Sequence, residues 1–435
     1  MTQPLPPGSQ GLPWIGHSLP FLKNPLTFMQ NQAKQSGLVF KTRLIGRNMV
    51  FALGPEANQF ILSTHAKKLN WREGYGPIPA KLFGPALVVQ DGDEHTHYRS
   101  LLTPAFRAEP MDRAIDSIAE VVRAQLSLHT QEDTVEFYDV FKRLAFAVAS
   151  RVLLGIDTEP QTPQLVRWFN QFSAGLFTPF PWSIPGTTFG KAIRARHNID
   201  NYFRQVIQEK RNKPQDNALR QLTEGKRPDG NALTDEEIVA QMLLMLFAGH
   251  DTTASLSTWL LYELGTQPDL REKVIAEQQE HTGDLSLPLL RSFQYLEACI
   301  KEAERKYPPA PTGFRGVMEN LTFQGYQIPK GWTLIYSPLF THHMPSLYPN
   351  PERFEPERML PPRQEHKQQP YALVGFGGGP RKCIGEHLAG VELKTIFTLL
   401  HREFSFEVFP NQDVRPEFIP SMHPKRGLYG RIRHL

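Results

Sequence analysis

Apolar positions recur every three to four residues through much of the chain between about Pro110 and Tyr307. The stretches around Ile115 to Leu128, Phe137 to Leu154 and Ala192 to Lys210 therefore predict amphipathic helices. The longest run opens where Thr234 and Glu237 form a capping-box pattern, stays apolar to Leu264 and meets a stop at Gly265 and Pro268, which predicts one helix of about thirty residues crossing the core. The polar stretch before it, from Arg211 to Leu233, predicts a surface loop. Two-residue alternation is concentrated in V-F-K-T-R-L-I-G-R-N-M-V-F-A-L, a β-hairpin pattern with its turn at Gly46-Arg47-Asn48. Pro4, Pro6, Pro7, Gly8, Gly11, Pro13 and Gly16 exclude helix from an entry segment, residues 1–17, which is expected to run over the surface. Between Met344 and Pro370, seven prolines predict an ordered meandering coil. There is no internal repeat and no long linker, so the expected fold is mainly α with small β-sheets (α+β), in one domain over residues 18–435.

Composition narrows the class. With 40% apolar and 21% charged residues, and 28 Phe, the chain builds a sizeable aromatic core. Its net charge of +4 comes from nearly balanced acids and bases, which argues against a nucleic-acid partner. Two cysteines, Cys299 and Cys383, speak against a disulfide framework and fit a reducing cytosol. The N-terminus lacks a secretory pattern, and the longest apolar run, Ile238 to Gly249, is interrupted by Gln241 and too short to span a bilayer. The expectation is a cytoplasmic protein without a transmembrane anchor, at most loosely associated with membranes.

Chemistry concentrates in F-G-G-G-P-R-K-C-I-G, Phe376 to Gly385, which leads into the helical pattern E-H-L-A-G-V-E-L-K-T-I-F-T-L-L. A thiolate that ligates iron needs backbone N–H groups close to sulfur, and Gly377, Gly378 and Gly379 permit the tight turn. A helix start just after Cys383 favours negative charge on sulfur. A lone cysteine in a glycine turn is most often just a small hydrophobe. Here, however, Phe376, Gly379, Arg381, Cys383 and Gly385 match every fixed position of the F-x-x-G-x-R-x-C-x-G signature, and the chain resembles the cytochrome P450 superfamily.

That resemblance implies a haem-thiolate fold in which a long central helix lies over haem b and a proline-rich meander leads to the cysteine loop. Cys383 is then the metal ligand, Phe376 shields the sulfur, and Arg381 meets a haem propionate. Further segments match in order. In A-G-H-D-T-T, Ala248 to Thr253, a charged Asp on an apolar helix is costly to bury unless used or paired; the resemblance makes Thr252 a hydrogen-bonding support for dioxygen and Asp251 part of a proton relay. Gly249 leaves room for oxygen. E-A-E-R supplies Glu302 and Arg305, a buried structural pair that Arg353 of P-E-R-F joins; Cys299, one turn earlier, fills core. G-D-E-H-T-H-Y-R places His95 and Arg99 on one helix face, toward the propionates, with His97 at the surface. Arg315 is a further propionate partner.

The implied reaction is insertion of one oxygen atom from O2 into a C–H bond, a hydroxylation. No flavin or nicotinamide domain is fused, so electrons are expected from a separate ferredoxin or flavodoxin, docking near Arg381, Lys382, Arg363 and Lys367. Candidate pocket residues are Trp71, Leu176, Phe177, Ala248, Pro311, Thr312 and Met422, with Ser421 beside the last; their apolar character implies a hydrophobic small molecule. G-L-F-T-P-F-P-W-S-I-P-G-T-T-F-G-K-A and G-F-R-G resemble the subgroup of retinoic-acid hydroxylases and their cyanobacterial relatives, which implies a retinoid, another terpenoid or a fatty acid. Arg72 or Lys81 is the candidate anchor for a carboxylate. A monomer is expected. The competing reading is a haem-binding sensor or carrier without turnover, for which the Asp251-Thr252 pair would have no use.

Overall fold

The computed structural model describes residues 3–157, 162–178, 181–211 and 216–435. It is 57% helical with small sheets, as the pattern required. The chain divides into two compact units, each assembled from separate stretches: Met1–Lys81, Val89–Gly92 and Glu304–Cys383 in the first, and Leu82–Val88, Asp93–Ala303 and Ile384–Leu435 in the second.

The first unit is built on a five-stranded sheet in the order Val39–Leu44, Arg47–Ala52, Thr333–Tyr336, Gly313–Val317, Leu69–Asn70. The expected hairpin forms, but its turn is Ile45-Gly46, at φ 48° and 73°. A two-residue hairpin needs positive φ at both central positions to match strand twist, so Gly46 takes the second place and Arg47 and Asn48 enter the ladder. Phe40 and Phe51 stack at 4.8 Å across the two strands and pack with Phe28 and Ile335 in a buried cluster. The entry segment is mostly exposed and is pinned to this unit, Lys41 N–H donating to Pro7 O at 2.8 Å and Gln327 N–H to Pro4 O at 2.9 Å.

The proline-rich coil is ordered by charge rather than by regular structure. Arg358 is 0% exposed and reaches Glu365 at 2.8 Å, Glu355 at 3.2 Å and the carbonyl of Pro349 at 3.1 Å. Arg363 bridges the same acids, at 2.7 Å from Glu355 and 2.5 Å from Glu365, and those hydrogen bonds push its pKa up. Its charge is consumed inside the coil, which corrects its expected place on a docking face; Lys367 and Lys382 are exposed.

In the second unit the long helix is Asp235–Thr266, and the capping box is present, Thr234 and Glu237 each bonding the other's backbone N–H. Gly265 does not end it: a Cβ there would lie 2.4 Å from Val408 Cγ2, so this glycine admits the strand Phe404–Val408 against the helix. The helix packs along Phe137–Leu154, whose apolar face is almost wholly buried. The stretch read as a polar loop contains a short helix, Ala218–Thr223, with Ala218, Leu219 and Leu222 buried and Asn217 capping it; residues 212–215 lie outside the described residues. Three apolar side chains on one face outweigh the polar flanks.

Candidate functional site

In the first unit, the loop around Cys383 is shaped by backbone constraints. Gly377 and Gly379 sit at φ 72° and 59°, and a Cβ on Gly379 would stand 1.9 Å from Leu62 O, so no side chain fits there. Cys383 N–H donates to Phe376 O at 2.8 Å, closing the loop, and Gly377 N–H donates to Val374 O at 2.9 Å. Cys383 is exposed whereas Cys299 is buried as core, and neither forms a disulfide. An exposed thiol in so constrained a loop is unusual for a residue type that normally hides.

A buried scaffold holds this loop. Arg305, 0% exposed, donates from Nη1 to His342 O at 2.9 Å and from Nη2 to Arg353 O at 3.2 Å. His342 Nδ1–H donates back to Arg305 O at 3.1 Å, and its Nε2 accepts the N–H of Val374 at 2.9 Å. Burial, then Arg305, pushes the His342 pKa down to about 3, so the ring is neutral and can accept. Arg353 itself is exposed, and it is its carbonyl that meets Arg305. The meander contains two P-E-R triplets, and the buried arginine is Arg358 of the second, not Arg353 of the first. Glu302 is 0% exposed, as expected of a structural carboxylate.

Other predicted residues of this unit have partners of their own. Arg381 pairs with Asp91 at 2.6 Å, and Asp91 also accepts the N–H groups of Trp71 at 2.8 Å and Arg72 at 3.1 Å. Asp91 carries no motif signal, so sequence reading missed it. Arg315 is buried, donates to Phe314 O at 2.9 Å and lies over the Tyr336 ring at 5.4 Å. Trp71 stacks on Tyr75 at 3.8 Å. Pro311 and Thr312 are half-buried beside them in sequence order, with Pro311 O accepting from Ser337 Oγ at 2.8 Å. Arg72 and Lys81 are exposed; Arg72 Nε bonds Val89 O at 3.0 Å.

In the second unit, the long helix is buried from Ile238 to Leu264 apart from Tyr262 and one strip, Leu244, Phe247, Ala248, Gly249 and Thr252. Leu244, Ala248 and Thr252 recur every four residues and share a face. Near Gly249, the sole heavy atom within 4 Å of an added Cβ is Ala149 Cβ at 3.4 Å. Thr252 Oγ1 donates to Ala248 O at 2.7 Å. Each feature taken by itself fits haem: the constrained exposed thiol offers a ligand for a metal, and the bare apolar strip with one hydroxyl offers a surface for a flat apolar macrocycle.

Asp251, beside that strip, is 1% exposed. Lys142 Nζ lies 2.9 Å from its Oδ1 and also donates to Asn170 Oδ1 at 2.5 Å; Tyr138 OH donates to Asp251 Oδ1 at 3.4 Å. Burial opposes ionisation, yet the neighbouring His250 and then Lys142, by charge and by hydrogen bond, hold the carboxyl below its ordinary range. Burial and the adjacent carboxylate push the Tyr138 phenol up, so it stays a donor. The Tyr138 ring stacks on His423 at 4.5 Å. Sequence reading missed Lys142; its place four residues after Tyr138 on one helix face was visible, its partner over a hundred residues away was not.

His95 is buried and Arg99 half-buried on Gly92–Leu102; His97, expected at the surface, is half-buried and bonds Lys226 O at 2.7 Å. Met422 is 5% exposed, and its carbonyl accepts from Ser255 Oγ at 2.5 Å and Trp259 Nε1 at 2.8 Å, so it anchors the C-terminal loop to the helix, with Ser421 buried beside it. Leu176 is half-buried and Phe177 exposed; Pro179 and Phe180 lie outside the described residues.

The Cytochrome P450 family profile matches residues 6–430. Cytochrome P450 120 of Synechocystis sp. is 35% identical over 99% of this chain and 97% of its own length. Abscisic acid 8'-hydroxylase 4 of Arabidopsis thaliana is 32% identical, over 99% and 92%. A solved structure, retinoic acid-bound cyanobacterial CYP120A1, superposes with a TM-score of 0.92 at 34% identity, covering both chains completely.

The buried pair gives a test. Asp251 is held below the unfolded value of about 3.9, so its stabilising contribution is full above about pH 4 and is lost as pH falls through the folded value. Lys142→Met removes one of the groups that hold the carboxyl down, so its folded value rises and that contribution shrinks. The variant is expected to lose ~3–5 kcal/mol at pH 7, a deficit that narrows as pH falls below about 4 and the parent loses its own contribution, read from denaturant midpoints from pH 7 downward. A deficit that does not change with pH would show that the two side chains are not electrically coupled.

Proposed function

The chain belongs to the cytochrome P450 family and is a monooxygenase that uses haem b and O2, and on that premise we propose that it hydroxylates a retinoid, or failing that another terpenoid or a fatty acid. Residues 18–435 act as one domain, because neither compact unit is contiguous in sequence. When bound, haem supplies the oxygen-activating chemistry that inserts one oxygen atom into a C–H bond. Cys383 would hold its iron, with the loop fixed by Gly379 and shielded by Phe376. By resemblance to the family, His95 and Arg99 of the second unit and Arg315 and Arg381 of the first are the candidate partners of the propionates. Glu302, Arg305 and Arg358 brace the loop.

On the other unit, Ala248 and Gly249 keep the helix surface low so that substrate approaches closely. Thr252 presents a hydroxyl there, and Asp251, kept ionised by Lys142, takes up protons and passes them on. A relay of this kind serves turnover and has no role in a mere carrier. Support for the substrate comes from two relatives: retinoic acid and abscisic acid are both isoprenoid carboxylic acids, and the structural relative was solved with the former bound. Trp71, Leu176, Phe177, Pro311, Thr312 and Met422 are the remaining pocket candidates.

Electrons come from a separate ferredoxin or flavodoxin, for which exposed Lys367 and Lys382 remain as contacts, and the chain works as a monomer in the cytoplasm. No helix among the described residues is long and apolar enough to cross a membrane. A loose surface association is supported by the N-terminal region. Residues 1–55 contain no acid and five cations, Lys23, Lys34, Lys41, Arg43 and Arg47. Beside them Trp14, Leu12, Leu19 and Ile45 are 84%, 60%, 65% and 62% exposed.

Three outcomes check these assignments. Cys383→Ser is expected to abolish the red-shifted Soret band that reduced, carbon monoxide-treated protein shows when sulfur ligates haem; a persisting band removes Cys383 as ligand. With a surrogate ferredoxin system, retinoic acid is expected to yield a hydroxylated product, and Thr252→Ala to consume electrons at a similar rate with at least ~10-fold less product; normal haem reduction with no product from any isoprenoid or fatty acid sinks the substrate reading. The protein is expected to float with vesicles containing anionic lipid at low salt and less with neutral ones, and Trp14→Glu to weaken this; equal recovery of variant and parent discounts the N-terminal patch.

A further inference from the structure

Neighbouring residues on a helix point about 100° apart, so their side chains ordinarily diverge. Those of His250 and Asp251 converge: Nε2 of the imidazole lies 3.4 Å from Oδ2 of the carboxylate. Neither atom has a hydrogen-bond partner among the described residues, although the residues are 0% and 1% exposed. The other atom of each group is committed. His250 Nδ1–H donates to Leu246 O at 2.7 Å, which leaves Nε2 as a bare lone pair. Asp251 Oδ1 receives Lys142 Nζ at 2.9 Å and Tyr138 OH at 3.4 Å. Two acceptors thus meet with no donor between them. Their separation is too short for a bridging water, which would need two hydrogen-bond lengths in succession. Buried polar atoms are rarely left in this state, and such exceptions ask for a reason.

We propose that this gap is a proton-holding site, in which His250 Nε2 and Asp251 Oδ2 together take up one proton and release it on the Thr252 side. The inference deepens the relay assigned to Asp251 and rests on it. Burial holds the imidazole below its ordinary range, and the adjacent imidazole and Lys142 hold the carboxylate below its own, so neither atom carries the proton and the gap is open to one. A single proton satisfies both orphaned acceptors at once, and the pair titrates as a unit. The step balances simply: a hydronium ion gives one proton and leaves as water, the same proton departs toward the reacting centre, and no electron moves. The charged and titratable side chains that face the pair are Lys142 and Tyr138 of Phe137–Leu154 and His423 of the C-terminal loop. The edges of Phe146 and Phe169 contact the imidazole at 5.6 Å and 5.7 Å between centroids and fix its orientation. His250 stands directly before Asp251 in A-G-H-D-T-T, where a residue without an acceptor atom would leave Oδ2 alone.

The test uses the haem-loaded full chain with His250→Gln, whose amide N–H fills the gap with a hydrogen that cannot be passed on, and His250→Phe, which preserves the aromatic packing. Infrared difference spectra of protein labelled with carbon-13 aspartate follow the protonated carboxyl of Asp251 across pH without turnover. Both variants are expected to lower its protonation midpoint by at least one pH unit, a tenfold loss of proton affinity. Product formed per electron pair should fall at least tenfold, with a larger solvent isotope effect, while the carbon monoxide band and substrate-binding spectrum stay as in the parent. If either folded variant keeps the parent's midpoint and coupling, the proposal is overturned. Asp251→Asn separates the two levels: unchanged coupling in that variant removes the relay itself, whereas uncoupling there beside a fully coupled His250→Gln removes only the proton-holding site.

Discussion

A carboxylate enclosed by an apolar helix and its neighbours stays ionised only if a cation is enclosed with it, and Asp251 meets that condition through Lys142 at 2.9 Å. Much of the second unit follows from this requirement. The helix Phe137–Leu154 must run alongside Asp235–Thr266 at a fixed rotation, because Lys142 and Tyr138 both have to reach one oxygen. The stacking of Tyr138 on His423 and the capture of Met422 O by Ser255 and Trp259 then fix where the C-terminal loop can lie. A charge that burial would otherwise expel becomes an organising point for three segments distant in sequence.

The first unit meets a different demand with different means. Its exposed thiol sits on a loop that carries little regular structure, so rigidity comes from buried polar links. Arg305 and His342 bond each other's backbone reciprocally, and the second ring nitrogen of His342 extends that lock to Val374. Arg358, Arg363 and two glutamates order the coil that precedes it. Arginine suits this use, since its planar donor fork can satisfy several carbonyls and carboxylates simultaneously.

What the sequence made legible was periodic or motif-bound: the hairpin, the capped long helix, the coil, the cysteine loop and the Asp251-Thr252 segment. These are set by local rules of spacing, capping and turn geometry. What escaped depended on partners far along the chain. Nothing around Lys142 announces Asp251, and nothing around Asp91 announces Arg381. The two P-E-R triplets in the coil are locally alike, and burial alone distinguishes Arg358 from Arg353. Gly265 looked like a helix stop because a strand's approach to a helix leaves no periodic trace, and the helix Ala218–Thr223 hid among polar flanks because three apolar residues are too few to establish a period.

The bare strip on the long helix has one more implication. Its centre is the single methyl group of Ala248, with Gly249 and the half-buried Phe247 beside it. Each added methylene in an apolar contact changes selectivity by roughly 1–3 kcal/mol. Substitution at this one position therefore reshapes the exposed strip while leaving the buried acid and its cation undisturbed, so the shape of that surface can drift without rebuilding the charged core behind it.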